Sequence, residues 1–242
     1  MNTERHQIHV SGLTVDVVRK AIKNLHLGVY PPDGRVRVAV PLAVSDEAVR
    51  LAVIGKLGWI KRQRQGFASQ ARQSEREMVS GESHYFLGRR YRLLVTQHDG
   101  PARIALRNKT SMELIVRPES GIEQRDQVLQ RWYRAQLKAL IPPLLEKWQP
   151  ILGVHVEDWG VKKMKTKWGS CNVEVRRIWF NLELTKKPAR CLEYIAVHEM
   201  IHLLERHHND RFTALMDKHL PQWRLCRAEL NRSPLAHENW SY

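Results

Sequence analysis

The run His198-Glu199-Met200-Ile201-His202 constrains this 242-residue chain more tightly than any other stretch. On an α-helix, residues four apart are offset by about 40° of arc and ~6 Å of rise, so both imidazoles point the same way. Two neutral ring nitrogens so placed can bind one Zn²⁺ at about 2.0–2.1 Å. Glu199, next to the first of them, can take a proton from water activated there, acting as general base. Leu192, Ile195, Leu203 and Leu204 supply the apolar packing that seats such a helix in a core. Five of the 12 histidines lie between His198 and His219, which independent draws rarely produce. The competing reading is a helix with ordinary surface or core histidines.

A zinc site needs a third protein ligand. His208 follows His202 by six residues; on a continued helix it points about 240° away, so the chain must leave the helix and turn back. Zincins with an HExxHxxGxxH motif place a glycine at that turn. Here Glu205 holds that position, and Asn209, which tolerates left-handed geometry, is the alternative turning point. His207 is the neighbouring ligand candidate, and Glu229, 27 residues after His202, is the gluzincin-like one. Spacing favours His208 and leaves the other two open.

Lys and Arg total 40 against 25 acidic residues, a formal net charge of +15 that attracts polyanions such as nucleotides or nucleic acid. The stretch 60–76 concentrates it, with Lys61, Arg62, Arg64, Arg72 and Arg76 against Glu75. Its bland reading is a solvated helix end, and no zinc-finger, RNP or KH signature accompanies it. Cys171, Cys191 and Cys226 form no CxxC pair, so reduced packing thiols are expected rather than a disulfide framework. The polar N-terminus and the lack of a ~20-residue apolar run point to a cytoplasmic protein without a membrane span.

Along the chain, alternating β-branched residues and a Pro-Pro-Asp-Gly turn make the first 40 residues β-rich. Ser45 is a predicted N-cap, followed by an apolar face of Leu51, Ile54, Leu57 and Ile60. Two strand-like segments follow at 84–95 and 102–116. A long helical segment starts near Gln124, where Pro142-Pro143 predicts a kink or two helices in series. Residues 154–184 read as β with a hairpin, the helix bearing the histidines follows Pro188, and a last helical stretch begins after 207–209. No internal repeat is evident. The expected organisation is α+β: a β-rich N-terminal region with one helix, residues 1–120, and a metal-binding region, residues 121–242.

The run from Lys165 to Phe212 resembles the YgjP-like metallopeptidase-type proteins, relatives of SprT-like zincins. Trp168-Gly169-Ser170-Cys171 matches that family's WGSC element. Phe180-Asn181, Leu184 and Pro188 follow its next element, with Phe180 replacing a leucine. His198, Glu199 and His202 match the helix motif, and His208 and Phe212 the last element. His207, Asn209 and Thr213 depart from the usual residues there without removing a ligand. The match is strong over the C-terminal 80 residues and weaker through Gly81-Glu82, Leu87-Gly88 and Trp132-Tyr133. The resemblance implies a zincin-like fold, His208 as third ligand, and an edge strand from the hairpin near Trp168–Leu184 where an extended peptide could add. It makes a zinc metallopeptidase acting on peptide or protein the leading expectation. A UTP-type nucleoside triphosphate pyrophosphatase and a basic nucleic-acid-associated zinc protein are the alternatives. Cys171 is read as a packing residue, Gly169 as a bulge or close backbone approach, Tyr194 as a weak oxyanion candidate, and Asp217 and His219 as exposed helix positions.

Overall fold

In the computed structural model, which describes residues 4–30, 33–69, 76–164 and 167–232, the alternating N-terminal segments form strands β1 (Glu4–Val10), β2 (Leu13–Lys20), β3 (His26–Tyr30) and β4 (Arg35–Pro41). Period two puts Ile8, Val10, Val15, Val17, Val36, Val38 and Val40 in one buried cluster. Helices α1 (Asp46–Ile54) and α2 (Leu57–Ser69) complete that cluster with Val49, Val53 and Ile60. Ser45 caps α1 as predicted, its side chain accepting from the Ala48 N–H at 3.2 Å. The predicted apolar face is corrected: Leu51 and Ile54 are 62% and 49% exposed, and Val49 and Val53 are buried instead. The reason is a break at Gly55 and Lys56, which ends α1 and resets the helical phase before Ile60. Residues 70–75 of the basic stretch, and Pro31-Pro32 of the first turn signal, lie outside the described residues.

A second four-stranded sheet comprises β5 (Ser83–Phe86), β6 (Arg89–Gln97), β7 (Arg103–Leu106) and β8 (Ser111–Val116). Its order, β5-β6-β8-β7, copies the β1-β2-β4-β3 order of the first sheet. The pairing copies it too: antiparallel hairpins at each side and one parallel pair in the middle, β2 with β4 and β6 with β8. Even the first turns agree, Ser11-Gly12 at φ 49° and 78° and Leu87-Gly88 at φ 48° and 78°, the mirror-image geometry that suits two-residue hairpins. The backbone therefore repeats where no sequence repeat is evident.

The chain divides into two units, Met1–Arg72 and Gln73–Tyr242, rather than near residue 120. The second sheet shares its core with the long helix α3 (Ile122–Leu152): Met112, Leu114 and Val116 cluster with Val128, Leu129 and Tyr133. Helix α3 runs through Pro142 and Pro143 as one element, so of the two expectations, two helices in series do not occur. Buried Leu137, Ile141, Leu145, Trp148 and Leu152 span the prolines, and this apolar stripe offsets the lost backbone bonds.

Strands β9 (Asp158–Lys162), β10 (Gly169–Asn172) and β11 (Arg177–Asn181) form a third sheet in the order β10-β11-β9, which leaves β10 at an edge. A 3₁₀ turn, Leu182–Lys186, leads to α4 (Ala189–Ile201), then α5 (Asp210–His219) and α6 (Trp223–Arg232). The architecture is α+β, as expected. Among the described residues no helix is long and apolar enough to cross a membrane.

Two devices fix where α4 begins. The β5–β6 turn donates from Leu87 N–H to Thr185 O at 2.8 Å and from Gly88 N–H to Lys186 O at 3.2 Å. A Cβ on Gly88 falls 2.7 Å from Pro188 Cγ, so this turn needs glycine for contact as well as for φ. Asn181, fully buried, donates to Met164 O at 2.8 Å and Lys167 O at 2.7 Å and accepts from Glu183 N–H at 3.1 Å. One side chain thus ties the entry to β10 to the 3₁₀ turn. Asn181→Ala orphans these buried groups and is expected to cost about 3 kcal/mol, each unsatisfied partner contributing roughly 1–3. Urea unfolding followed by tryptophan fluorescence reads that loss, and a change below about 1 kcal/mol counts against the clamp.

Candidate metal centre

Helix α4 is apolar nearly all round: Cys191, Leu192, Tyr194, Ile195, Ala196, Val197, Met200 and Ile201 are buried. A helix of that kind sits inside a core, which makes Glu199, only 5% exposed among those residues, an anomaly that calls for a role. His198 and His202 lie on the α4 face that meets the following turn. Their Nε2 atoms each stand 3.1 Å from His208 Nε2. Ligand-type atoms of these three histidines all lie within 4.8 Å of one another. Beneath them, the Phe212 ring has centroid distances of 4.9, 4.9 and 4.7 Å to His198, His202 and His208.

The turn that brings His208 back is built by Glu205. Its N–H bonds Ile201 O at 2.9 Å as the helix ends, and its carboxylate accepts from His207 N–H at 3.2 Å. That bond above all holds the Glu205 carboxyl below its usual range. The Glu205 carbonyl lies 3.1 Å from His202 Nδ1, a contact that places the proton on Nδ1 and leaves the Nε2 lone pair for the cluster. No residue of this turn has positive φ. Asn209 is extended at φ −94°, so the left-handed turn expected of it does not occur; instead its side chain caps α5 by accepting from Phe212 N–H at 3.0 Å. Sequence spacing could not foresee that a carboxylate would do the work of a glycine.

Glu199 faces β10. Cys171 N–H donates to its carboxylate, and Lys167 contributes a favourable charge, yet burial dominates and pushes the carboxyl up to about 8. A Cβ on Gly169 falls 2.5 Å from Glu199 Oε1 and 2.8 Å from Ile195 Cγ2. The close backbone approach predicted at Gly169 is therefore present, and its partner is Glu199. The Cys171 thiol is half-buried, raised to about 11 first by burial and then by Glu199, and it stays outside the histidine cluster.

These groups open on a cleft of about 680 Å³ walled by Trp168, Gly169 and Ser170 on one side and by α4 and α6 on the other. Tyr194 is buried, with its hydroxyl raised to about 12; its ring meets His198 edge-on at 5.7 Å and stacks on Trp223 at 6.2 Å. The other ligand candidates lie elsewhere. Glu229 pairs with Arg190 at 2.8 Å, and His207 is exposed outside the cluster. Asp217, expected as an exposed helix position, is half-buried and accepts from Trp223 Nε1 at 2.7 Å. Lys167, Arg206 and Arg227 line the cleft without having been singled out from sequence; nothing in their spacing marks them among 40 basic residues.

The donor set fits a metal ion. Burial is the largest cause holding all three imidazoles below the ordinary histidine range, His198 down to about 3, so each offers a lone pair at neutral pH. Tetrahedral zinc with bonds of 2.0–2.1 Å has ligand–ligand edges of about 3.3–3.4 Å, close to the 3.1 Å nitrogen separations.

No curated protein matches the chain. Among solved structures, the crystal structure of the metallopeptidase zymogen of Pyrococcus abyssi abylysin aligns at 19% identity, covering 37% of this chain and 90% of that one, with a TM-score of 0.35. A family profile described as YgjP-like, metallopeptidase domain, matches residues 23–233, most of both structural units. The chain therefore belongs to the YgjP-like family, the metallopeptidase domain of which it carries over nearly its whole length.

Proposed function

We propose that this chain is a zinc-dependent metallopeptidase in which His198, His202 and His208 hold the metal and Glu199 is the general base. The observation that carries the reading is the meeting of three neutral Nε2 atoms beside a buried carboxyl that accepts from a strand N–H. When bound there, zinc supplies a Lewis acid for the peptide carbonyl, acidifies water and favours the ionised form of Glu199.

The remaining work falls to the chain's own residues. The edge of β10, unpaired among the described residues, offers backbone N–H and C=O groups to an extended peptide. Gly169 brings that edge against Glu199 without a side chain between them. The Cys171 N–H orients the Glu199 carboxylate, which takes a proton from the attacking water as the new C–O bond forms. The same proton passes to the leaving amine as the C–N bond breaks. Trp168 walls the cleft beside the β10 edge.

The nucleotide-hydrolase alternative has less support. Among the described residues the histidine cluster is the one group with metal-ligand spacing, and nitrogen donors suit zinc rather than magnesium. Casein and UTP turnover measured side by side, before and after chelation, separate the readings. Chelation is expected to abolish casein cleavage and one equivalent of Zn²⁺ to restore it. Casein cleavage that survives exhaustive chelation overturns the proposal, as does UTP turnover that alone responds to metal.

A further inference from the structure

The cleft carries an excess of cationic side chains. Besides the three histidines and Glu199, its charged lining is Lys167, Arg206 and Arg227 against one acid, Glu174, on the turn between β10 and β11. All three cations are exposed, and none forms an ion pair among the described residues. They stand on separate elements: Lys167 before β10, Arg206 on the turn between His202 and His208, and Arg227 on α6. Positive charge thus meets the cleft from three separate elements.

Arg227 also meets an aromatic ring. Its guanidinium lies 5.8 Å from the Trp223 ring centroid. Trp223 stacks on Tyr194 with 18° between the rings, and its Nε1 is tied to Asp217 at 2.7 Å. Stacking on an aromatic face reduces the entropy lost when a guanidinium engages a carboxylate. Tyr194 in turn meets His198, so this ladder sets Arg227 at the rim of the catalytic groups.

We infer that the cleft selects acidic peptides, with Arg227 binding a substrate Asp or Glu side chain next to the scissile bond and with Lys167 and Arg206 adding to the attraction. The inference rests on the peptidase reading for the position of the scissile bond; the charge preference is measurable without turnover.

The test uses peptides identical except for acidic, neutral or basic residues flanking the central bond. Their binding to the zinc-loaded Glu199→Gln protein is followed by fluorescence anisotropy. The acidic peptide is expected to bind about tenfold more tightly than the neutral one at low salt, the scale of one charge-assisted contact, and this margin should shrink as salt rises. Arg227→Gln should remove about tenfold from the acidic peptide alone, with Arg227→Lys keeping part of it. Lys138→Gln, an exposed control on α3 outside the cleft lining, should change neither affinity. Equal affinity for the three peptides overturns the inference. So does an equal effect of the Arg227 and Lys138 changes, which reduces the preference to net charge, or displacement of the acidic peptide by UTP at lower concentration. Cleavage by the unsubstituted enzyme separates the two readings. Neutral and acidic peptides cut alike leave a peptidase without the selectivity, whereas acidic peptides bound but uncut leave the selectivity without a peptidase.

Discussion

On the proposed function, Glu199→Gln is expected to lower kcat for peptide cleavage by about 10³-fold, within the 10²–10⁴ range of a general base, without lowering the protein's zinc content. The substitution is nearly isosteric, so the Cys171 N–H keeps an acceptor and the tight contact with Gly169 is unchanged in size. What disappears is the capacity to take a proton from water and return it to the amine. KM should move little, because no substrate contact is removed, and equal losses in kcat and kcat/KM identify an interaction made in the transition state. The measurement pairs steady-state kinetics with metal analysis of the same preparation. A kcat within tenfold of the unsubstituted enzyme, at equal zinc content, removes Glu199 from the role of base.

The site's central elements were legible because helix geometry leaves few options. A four-residue spacing on an apolar helix determines where His198 and His202 point, and it sets Glu199 beside them. His208 was legible only in part: spacing demanded a turn, and the family resemblance chose between adjacent histidines. The device that makes the turn was not readable, since Glu205 works through its carboxylate and carbonyl, whose partners are set by the folded chain. Gly169 shows the same limit. A glycine at the start of a strand announces a close approach without naming the partner, and Glu199 lies 30 residues further on. Arg227 could not be seen at all, because its position depends on α6 packing against α4 through Trp223 and Tyr194.

At the level of the fold, burial overrode local signals. Pro142 and Pro143 mark a break by local rules, yet an apolar stripe on both sides carries α3 through them. Leu51, Ile54, Leu57 and Ile60 keep helical spacing on paper, but the break at Gly55 and Lys56 resets the phase between the first pair and the second. The repeated sheet topology leaves no sequence repeat because a pairing order is kept by hydrogen bonds and turn geometry, which many sequences satisfy. Two β-rich stretches in succession read as one region in the sequence, whereas the second shares its core with α3.

His208→Ala is expected to weaken zinc binding by on the order of 10²-fold, taking about a quarter of the 10–16 kcal/mol that a four-ligand site supplies. Activity at limiting metal should fall with it. The adjacent His207→Ala should leave zinc affinity unchanged, because its ring is exposed outside the cluster and its backbone N–H to Glu205 survives the substitution. This pair of variants removes the same side chain from neighbouring positions, so a general effect of losing one histidine cancels. The Phe212 ring still supports His198 and His202 in both, and Asn209 still caps α5, so neither change is expected to unfold the segment. Zinc affinity is read by competition with a chromogenic chelator, with thermal unfolding of the zinc-free proteins as the control for folding. Equal affinity in His208→Ala and the unsubstituted protein removes His208 from the metal. A loss confined to Glu229→Ala instead assigns the third ligand to α6, against its present pairing with Arg190.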